Sequence, residues 1–159
     1  VSLGVDNPAE LERAYKDLVE RLGPPVLVQR MAPAGVELLV GVVRDAQFGP
    51  LVMAGAGGIL VETFCERAFA LPPLDRPRTE RLLAGLTTNK LLAGIRGSAP
   101  SDTTAVINAL VRLSVLATDL GDLIDGLDIN PLIAGPDGCI AVDALVVPKA
   151  TEEFRKANG

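Results

Sequence analysis

Leu127-Asp128-Ile129-Asn130-Pro131-Leu132-Ile133-Ala134-Gly135-Pro136-Asp137-Gly138-Cys139-Ile140-Ala141-Val142-Asp143-Ala144-Leu145-Val146-Val147 is the stretch on which the fold turns. Two runs rich in aliphatic and β-branched residues flank the turn formers Gly135-Pro136-Asp137-Gly138. This pattern predicts strands over about 126–134 and 139–147, joined as an antiparallel hairpin. With the turn centred on Pro136-Asp137, Gly135 faces Gly138, Ala134 faces Cys139, and counting back sets Asn130 opposite Asp143. Asp128 lies two residues before Asn130 and points the same way. The opposite face reads Leu127, Ile129 and Ile133 against Ile140, Val142, Ala144 and Val146, and is expected to be core. Cross-strand partners have Cβ atoms about 4.5–5.5 Å apart, close enough for one cation to bridge an amide and a carboxylate oxygen. Hard oxygens in this arrangement suit Mg²⁺, which completes its shell with water and substrate phosphates. The same residues also read as a solvated sheet face, and the pattern alone leaves both readings open.

N-terminal to this hairpin the elements follow in order. Asn7-Pro8-Ala9-Glu10 combines a capping side chain, a Pro at the first helical position and a carboxylate three residues after the cap, and Leu11, Ala14, Tyr15, Leu18 and Leu22 repeat at helical spacing. A helix is predicted over about 8–22, stopped by Gly23-Pro24-Pro25, with a strand starting at Val26-Leu27-Val28-Gln29. Val36–Val43 and Leu51–Ala54 read as a hairpin around a long loop, 44–50, followed by Gly55-Ala56-Gly57-Gly58. A strand over about 65–71, a helix over about 78–86 and a long helix capped by Ser101 complete the set, the last with a stripe of Val106, Ala109, Leu110, Leu113, Leu116 and Leu120. Strands mixed with helices on one face predict an α+β domain over residues 1–148, with a polar tail over 149–159.

Composition bounds the chemistry. The 159 residues are 48% hydrophobic and 22% charged, the balance of a folded globular chain. A net charge of −5 argues against a nucleic-acid or anionic-membrane footprint, and no apolar run approaches a membrane span. With no histidine, a His base, a His-bound zinc or a phosphohistidine on this chain is excluded. The two cysteines, Cys65 and Cys139, fit no metal or redox spacing and read as reduced thiols of a cytoplasmic protein.

Gly35-Val36-Glu37-Leu38-Leu39-Val40-Gly41-Val42-Val43-Arg44-Asp45-Ala46-Gln47-Phe48-Gly49-Pro50, then Gly57-Gly58 with Glu62, then Leu127-Asp128-Ile129-Asn130-Pro131-Leu132 and Val142-Asp143-Ala144 resemble the ATP-grasp domain of ADP-forming acyl-CoA ligases. More loosely they are similar to the β subunit of succinyl-CoA synthetase. The resemblance implies the C-terminal portion of an ATP-grasp fold, with a largely antiparallel sheet. It implies Mg²⁺ held by Asn130 and Asp143, ATP or another nucleoside triphosphate as cofactor, and Asp128 beside the phosphoryl-transfer centre. It further implies that the backbone at Gln29 and Met31 meets the adenine, that Glu37 reaches the ribose hydroxyls, and that Gly57-Gly58 comes close to the phosphates. From the residues themselves, Glu37 also reads as an exposed strand carboxylate and Gly55-Ala56-Gly57-Gly58 as a tight connection. Arg44 and Arg96 read as loop arginines and are not assigned to the site.

In that family a further N-terminal lobe supplies a phosphate-binding Lys and a segment containing His, and a CoA-binding domain or subunit carries the phosphohistidine. Neither is present in this sequence, which is therefore expected to be inactive alone and to depend on both as partners. The alternative reading is a non-catalytic nucleotide-sensing or interaction module of a regulator. Strand edges left bare by the absent lobe also predict possible homo-oligomers.

Overall fold

The computed structural model describes residues 1–58, 66–94 and 99–149. They fall into two compact units, Val1–Pro33 and the chain from Ala34 onward. Glu62, Cys65, the loop at Arg96 and the tail from Thr151 lie outside the described residues.

The first unit holds helix α1, Pro8–Leu22. The Asn7 side chain accepts the Glu10 N–H at 2.9 Å, and Glu10 Oε2 accepts the Asp6 N–H at 3.0 Å, closing a reciprocal cap. The hydrogen bond from the Asp6 backbone, aided by Asn7, holds the Glu10 carboxyl below its ordinary range. No residue of α1 is buried, and Tyr15 and Leu22 of its apolar stripe are exposed. The strand expected from Val26 does not form: residues 24–35 carry no regular structure. A strand is stabilised by its ladder, and every strand described belongs to the second unit.

That unit is a six-stranded sheet in the order β3-β2-β1-β4-β5, with β6 also paired to β4, and every pairing is antiparallel. β1 (Val36–Asp45) and β2 (Gly49–Ala56) form the first hairpin. Its connection is only Ala46-Gln47-Phe48, shorter than the loop expected, because Asp45 organises it. Asp45 Oδ1 accepts the N–H groups of Gln47 at 2.8 Å and Phe48 at 3.0 Å, and Gly49 takes φ 75°, the left-handed conformation that lets the strand resume. These hydrogen bonds, the Phe48 one first, hold the Asp45 carboxyl below its ordinary range. A depressed carboxyl stabilises the fold above its unfolded pKa of 3.8, and that contribution is lost as pH falls through the lower folded value. Asp45→Ala is therefore expected to lower the melting temperature at pH 6, with the difference from the parent shrinking in a melting series taken below pH 4.

β3 (Arg67–Ala70) is followed by α2 (Arg76–Ala84), α3 (Thr88–Leu92) and α4 (Thr103–Asp119). The sequence did not announce α3, because five residues are too few to show a helical period. α4 is capped by Asp102, whose Oδ1 accepts the Ala105 N–H at 2.9 Å, and not by Ser101. Ser101 donates its hydroxyl to the Ala134 carbonyl at 3.0 Å instead, tying the helix entrance to the sheet. The buried stripe of α4 is also rotated from the one expected, and runs through Val106, Ile107, Leu110, Leu113, Ser114 and Ala117. Ser114 is tolerated there because its hydroxyl accepts the Leu74 N–H and donates to the Val111 carbonyl. These helices cover one sheet face, where Leu38, Val40 and Val42 of β1 and Val52 and Ala54 of β2 meet Leu83, Leu92, Val106 and Leu110. The architecture is α+β, as the sequence implied.

β4 (Ile124–Gly135), β5 (Gly138–Ala141) and β6 (Ala144–Pro148) realise the last hairpin, with one long strand split into β5 and β6 at Val142-Asp143. Its core face differs from the one expected. Leu127 and Ile129 face the helices, but beyond them Leu132 and Ala134 do, in place of Ile133. The cause is a register shift opposite β1: Leu38 pairs with Leu132 and Val40 with Ile129, so β4 carries one extra residue and its alternation inverts. Ile140 and Val146 are 48% and 50% exposed, Ala144 is exposed and Val142 only half-buried, so none of the four is in the core cluster.

Candidate functional site

Paired residues of adjacent strands share a face, so the register shows what collects on the side away from α2–α4. Gly41 pairs with Asp128, and Glu37 with Ile133, on that second face. On the far side of β4, Asp128 pairs with Leu145 and Ile129 with Ala144. The same register runs unbroken from Leu132↔Ala141 through the gap. Within it the Asn130 N–H donates to the Asp143 carbonyl at 3.3 Å, and the Val142 N–H to the Pro131 carbonyl at 3.0 Å. Asn130 and Asp143 therefore stand opposite each other, both exposed, with half-buried Asp128 two residues along β4.

The pair offers hard donors. Asp143 Oδ1 accepts the Ala144 N–H at 2.8 Å, which fixes the carboxylate rotamer and leaves Oδ2 and the Asn130 amide oxygen available. Among the described residues, no group of three or more Asp, Glu, Cys or His gathers as a metal site. A cation here would take the rest of its shell from phosphate and water, which is the habit of Mg²⁺, so the donor set fits that ion.

A second part of the site lies at the end of β2. The Gly57 N–H donates to the Glu37 carbonyl at 2.9 Å, extending the β1–β2 ladder by one rung. A Cβ on Gly57 would stand 2.6–2.8 Å from the Leu38 backbone, and one on Gly58, at φ 58°, would fall on Oε2 of Glu37. The Glu37 carboxylate thus lies over Gly58; Gly57 is required by the close approach of β1, and Gly58 by its left-handed backbone. Gly41 was missed in the sequence reading. A Cβ there would run into the Leu127 carbonyl, so its bare backbone allows β4 to bring Asp128 close. A glycine inside a strand pattern was the available signal.

Gln29 and Met31 belong to the first unit, where both are exposed and outside any strand. Arg44 faces Asp125, Nε to Oδ1 3.7 Å, at the other end of β1. Burial, and secondarily the Asp102 charge, push the Cys139 thiol up, which keeps it protonated at neutral pH. No described helix is long and apolar enough to cross a membrane.

Comparison with known proteins places the chain in a family. The ATP-grasp domain family matches residues 1–147. The β subunit of an ADP-forming acetate–CoA ligase I from Pyrococcus furiosus is 34% identical, over 92% of this chain and 66% of that protein. An ADP-forming 4-hydroxybutyrate–CoA ligase from Nitrosopumilus maritimus is 33% identical, over 87% of this chain and 21% of its own length. Among solved structures, an acetyl-coenzyme A synthetase of Ca. Korarchaeum cryptofilum is 37% identical with a TM-score of 0.83, covering 93% of this chain and 67% of that one. That structure holds coenzyme A and Mg-AMPPCP, with its phosphohistidine segment pointing towards the nucleotide site. The chain spans just under two thirds of the P. furiosus subunit and about a fifth of the N. maritimus ligase. With the match running over nearly its whole length, the chain belongs to the ATP-grasp domain family.

Proposed function

We propose that this chain is the nucleotide- and Mg²⁺-holding part of a nucleoside-diphosphate-forming acyl-CoA synthetase, a partial ATP-grasp domain over residues 1–148. The whole enzyme would join an acid, CoA and ATP to give acyl-CoA, ADP and phosphate. The observation that carries the reading is the exposed Asn130–Asp143 pair, held opposite each other across the hairpin and close in β4 to Asp128, whose face also bears Glu37. Asn130 and Asp143 would hold the cation, which when bound neutralises phosphate oxygens. Asp128 would act beside the transferring phosphoryl group. Glu37 would accept hydrogen bonds from the ribose, Gly57-Gly58 would let phosphate approach the backbone, and the backbone at Gln29 and Met31 would meet the adenine. The chain would need a second ATP-grasp lobe and a CoA-binding domain or subunit, consistent with the greater length of its relatives. The acid differs between those relatives, so none is carried over.

The test is an amide NMR titration of the 159-residue chain with ATP, with and without Mg²⁺. Shifts that need both ligands and concentrate at Gln29, Met31, Glu37, Gly57, Gly58, Asp128, Asn130 and Asp143 are expected. Shifts elsewhere, or identical shifts with ATP alone, would refute the assignment. Acyl-CoA formation by this chain alone would refute the dependence on partners.

A further inference from the structure

We propose that the free edge of β3, together with an arginine stripe on α2, takes up an extended acidic segment of a partner protein as an added β-strand. β3 ends the sheet: it pairs with β2 on one side, and no described strand occupies the other. Such an edge presents unpaired N–H and C=O groups that template another strand. Between this edge and α2 runs a groove of about 350 Å³. Residues 68–70 form one wall, and Arg78, Arg81, Leu82 and Gly85 the other. The α2 residues recur at helical spacing, so the basic and apolar side chains form one stripe.

Charge selects the occupant. The chain as a whole carries −5, yet among the described residues Arg78 and Arg81 have no carboxylate partner. Arg78 donates to the Pro73 and Leu71 carbonyls at 2.6 and 3.0 Å, which fixes its position without cancelling its charge. Of the nearby acids, Glu80 pairs with Arg76 at 2.9 Å, and Glu66 is held towards α3, accepting the Thr87 N–H at 2.6 Å. On the other face of the same edge, Phe69 and Leu71 are half exposed. An added strand would set one row of side chains beside the arginines and the alternate row beside Phe69 and Leu71. The sequence that satisfies both alternates acidic with apolar residues. This site is separate from Asn130 and Asp143, and does not depend on the nucleotide reading.

The probe is a fluorescein-labelled six-residue peptide alternating Glu and Val. Controls are the same composition in blocks, three Glu then three Val, the Lys–Val analogue, and sodium tripolyphosphate. The expected result is saturable, salt-sensitive binding of the alternating peptide, with amide shifts centred on residues 67–70. Arg81→Gln and Arg81→Glu, both at an exposed position, are expected to weaken it about fivefold and at least about tenfold, with the melting curve unchanged. Equal binding of the block peptide, no effect of either Arg81 variant, or no binding at all would overturn the proposal. So would tripolyphosphate displacing the peptide without shifts at β3, which would mark a small-anion site.

Discussion

Gly57→Ala is expected to destabilise the chain by about 3 kcal/mol, a fall in melting temperature of roughly 6–12 °C for a chain of this size. The added methyl would sit 2.6–2.8 Å from the C, N and O atoms of Leu38. Leu38 cannot retreat, because it is fully buried and laddered to Ala56 on one side and Leu132 on the other. The cost must therefore be met by moving β2 and breaking the Gly57 N–H to Glu37 carbonyl bond. Gly58→Ala makes the informative contrast. Its methyl meets only the end of the Glu37 side chain, which can swing aside, so the stability loss should stay near the roughly 1–2 kcal/mol of a left-handed alanine. Its effect should instead fall on nucleotide binding, through the displaced Glu37 carboxylate. Denaturant titration with an unchanged slope distinguishes the two variants. A Gly57→Ala chain melting within about 2 °C of the parent would mean that β1 and β2 do not approach as closely as described.

Asp143→Asn is expected to abolish most of the Mg²⁺ dependence of nucleotide binding, by about tenfold or more in apparent affinity, with the melting temperature nearly unchanged. The amide keeps an Oδ1 that can still accept the Ala144 N–H, so the strand entrance to β6 survives. What disappears is the one charged donor of the pair. The exposed position means no core packing is lost, and removing a negative charge diagonal to Asp128 relieves a weak repulsion. Asp128→Asn should separate from it, leaving nucleotide affinity closer to the parent while slowing phosphoryl transfer in the assembled enzyme. An Asp143→Asn chain whose nucleotide binding responds to Mg²⁺ as the parent does would end the cation assignment. Leu132→Asp is the folding control, since it buries an unpaired charge at a 4% exposed position.

Local signals were legible because they act over a few residues. Asn7-Pro8-Ala9-Glu10 marks the start of α1 through a cap the structure displays, and Gly135-Pro136-Asp137-Gly138 sets a register that holds as far as Gly126↔Val147. That register placed Asn130 opposite Asp143 from sequence alone, since a hairpin turn pins every later pair. Glu37 and Gly57-Gly58 were legible only as a resemblance. Their meeting depends on the β1–β2 pairing that lays a carboxylate over Gly58, a contact between residues about twenty apart that no local pattern encodes.

The face of β4 that becomes core was decided only in the tertiary structure. Leu132, Ile133 and Ala134 after Asn130-Pro131 are all apolar, so the pattern does not say which of them turns inward, and the extra residue shows only when β1 lies alongside and shifts register between Leu38 and Val40. The same holds for the strand expected at Val26, which needs a partner before its pattern becomes a ladder, and for α4, whose buried stripe is set by the sheet beneath it and not by its own hydrophobicity. By itself the sequence determined the fold class, the hairpin pairing of Asn130 with Asp143 and the exclusion of histidine chemistry, because composition, turn geometry and period are short-range or counted properties. Which faces are buried, which glycines are indispensable and which arginines stand without a carboxylate were settled by packing, because each depends on atoms brought together from distant parts of the chain.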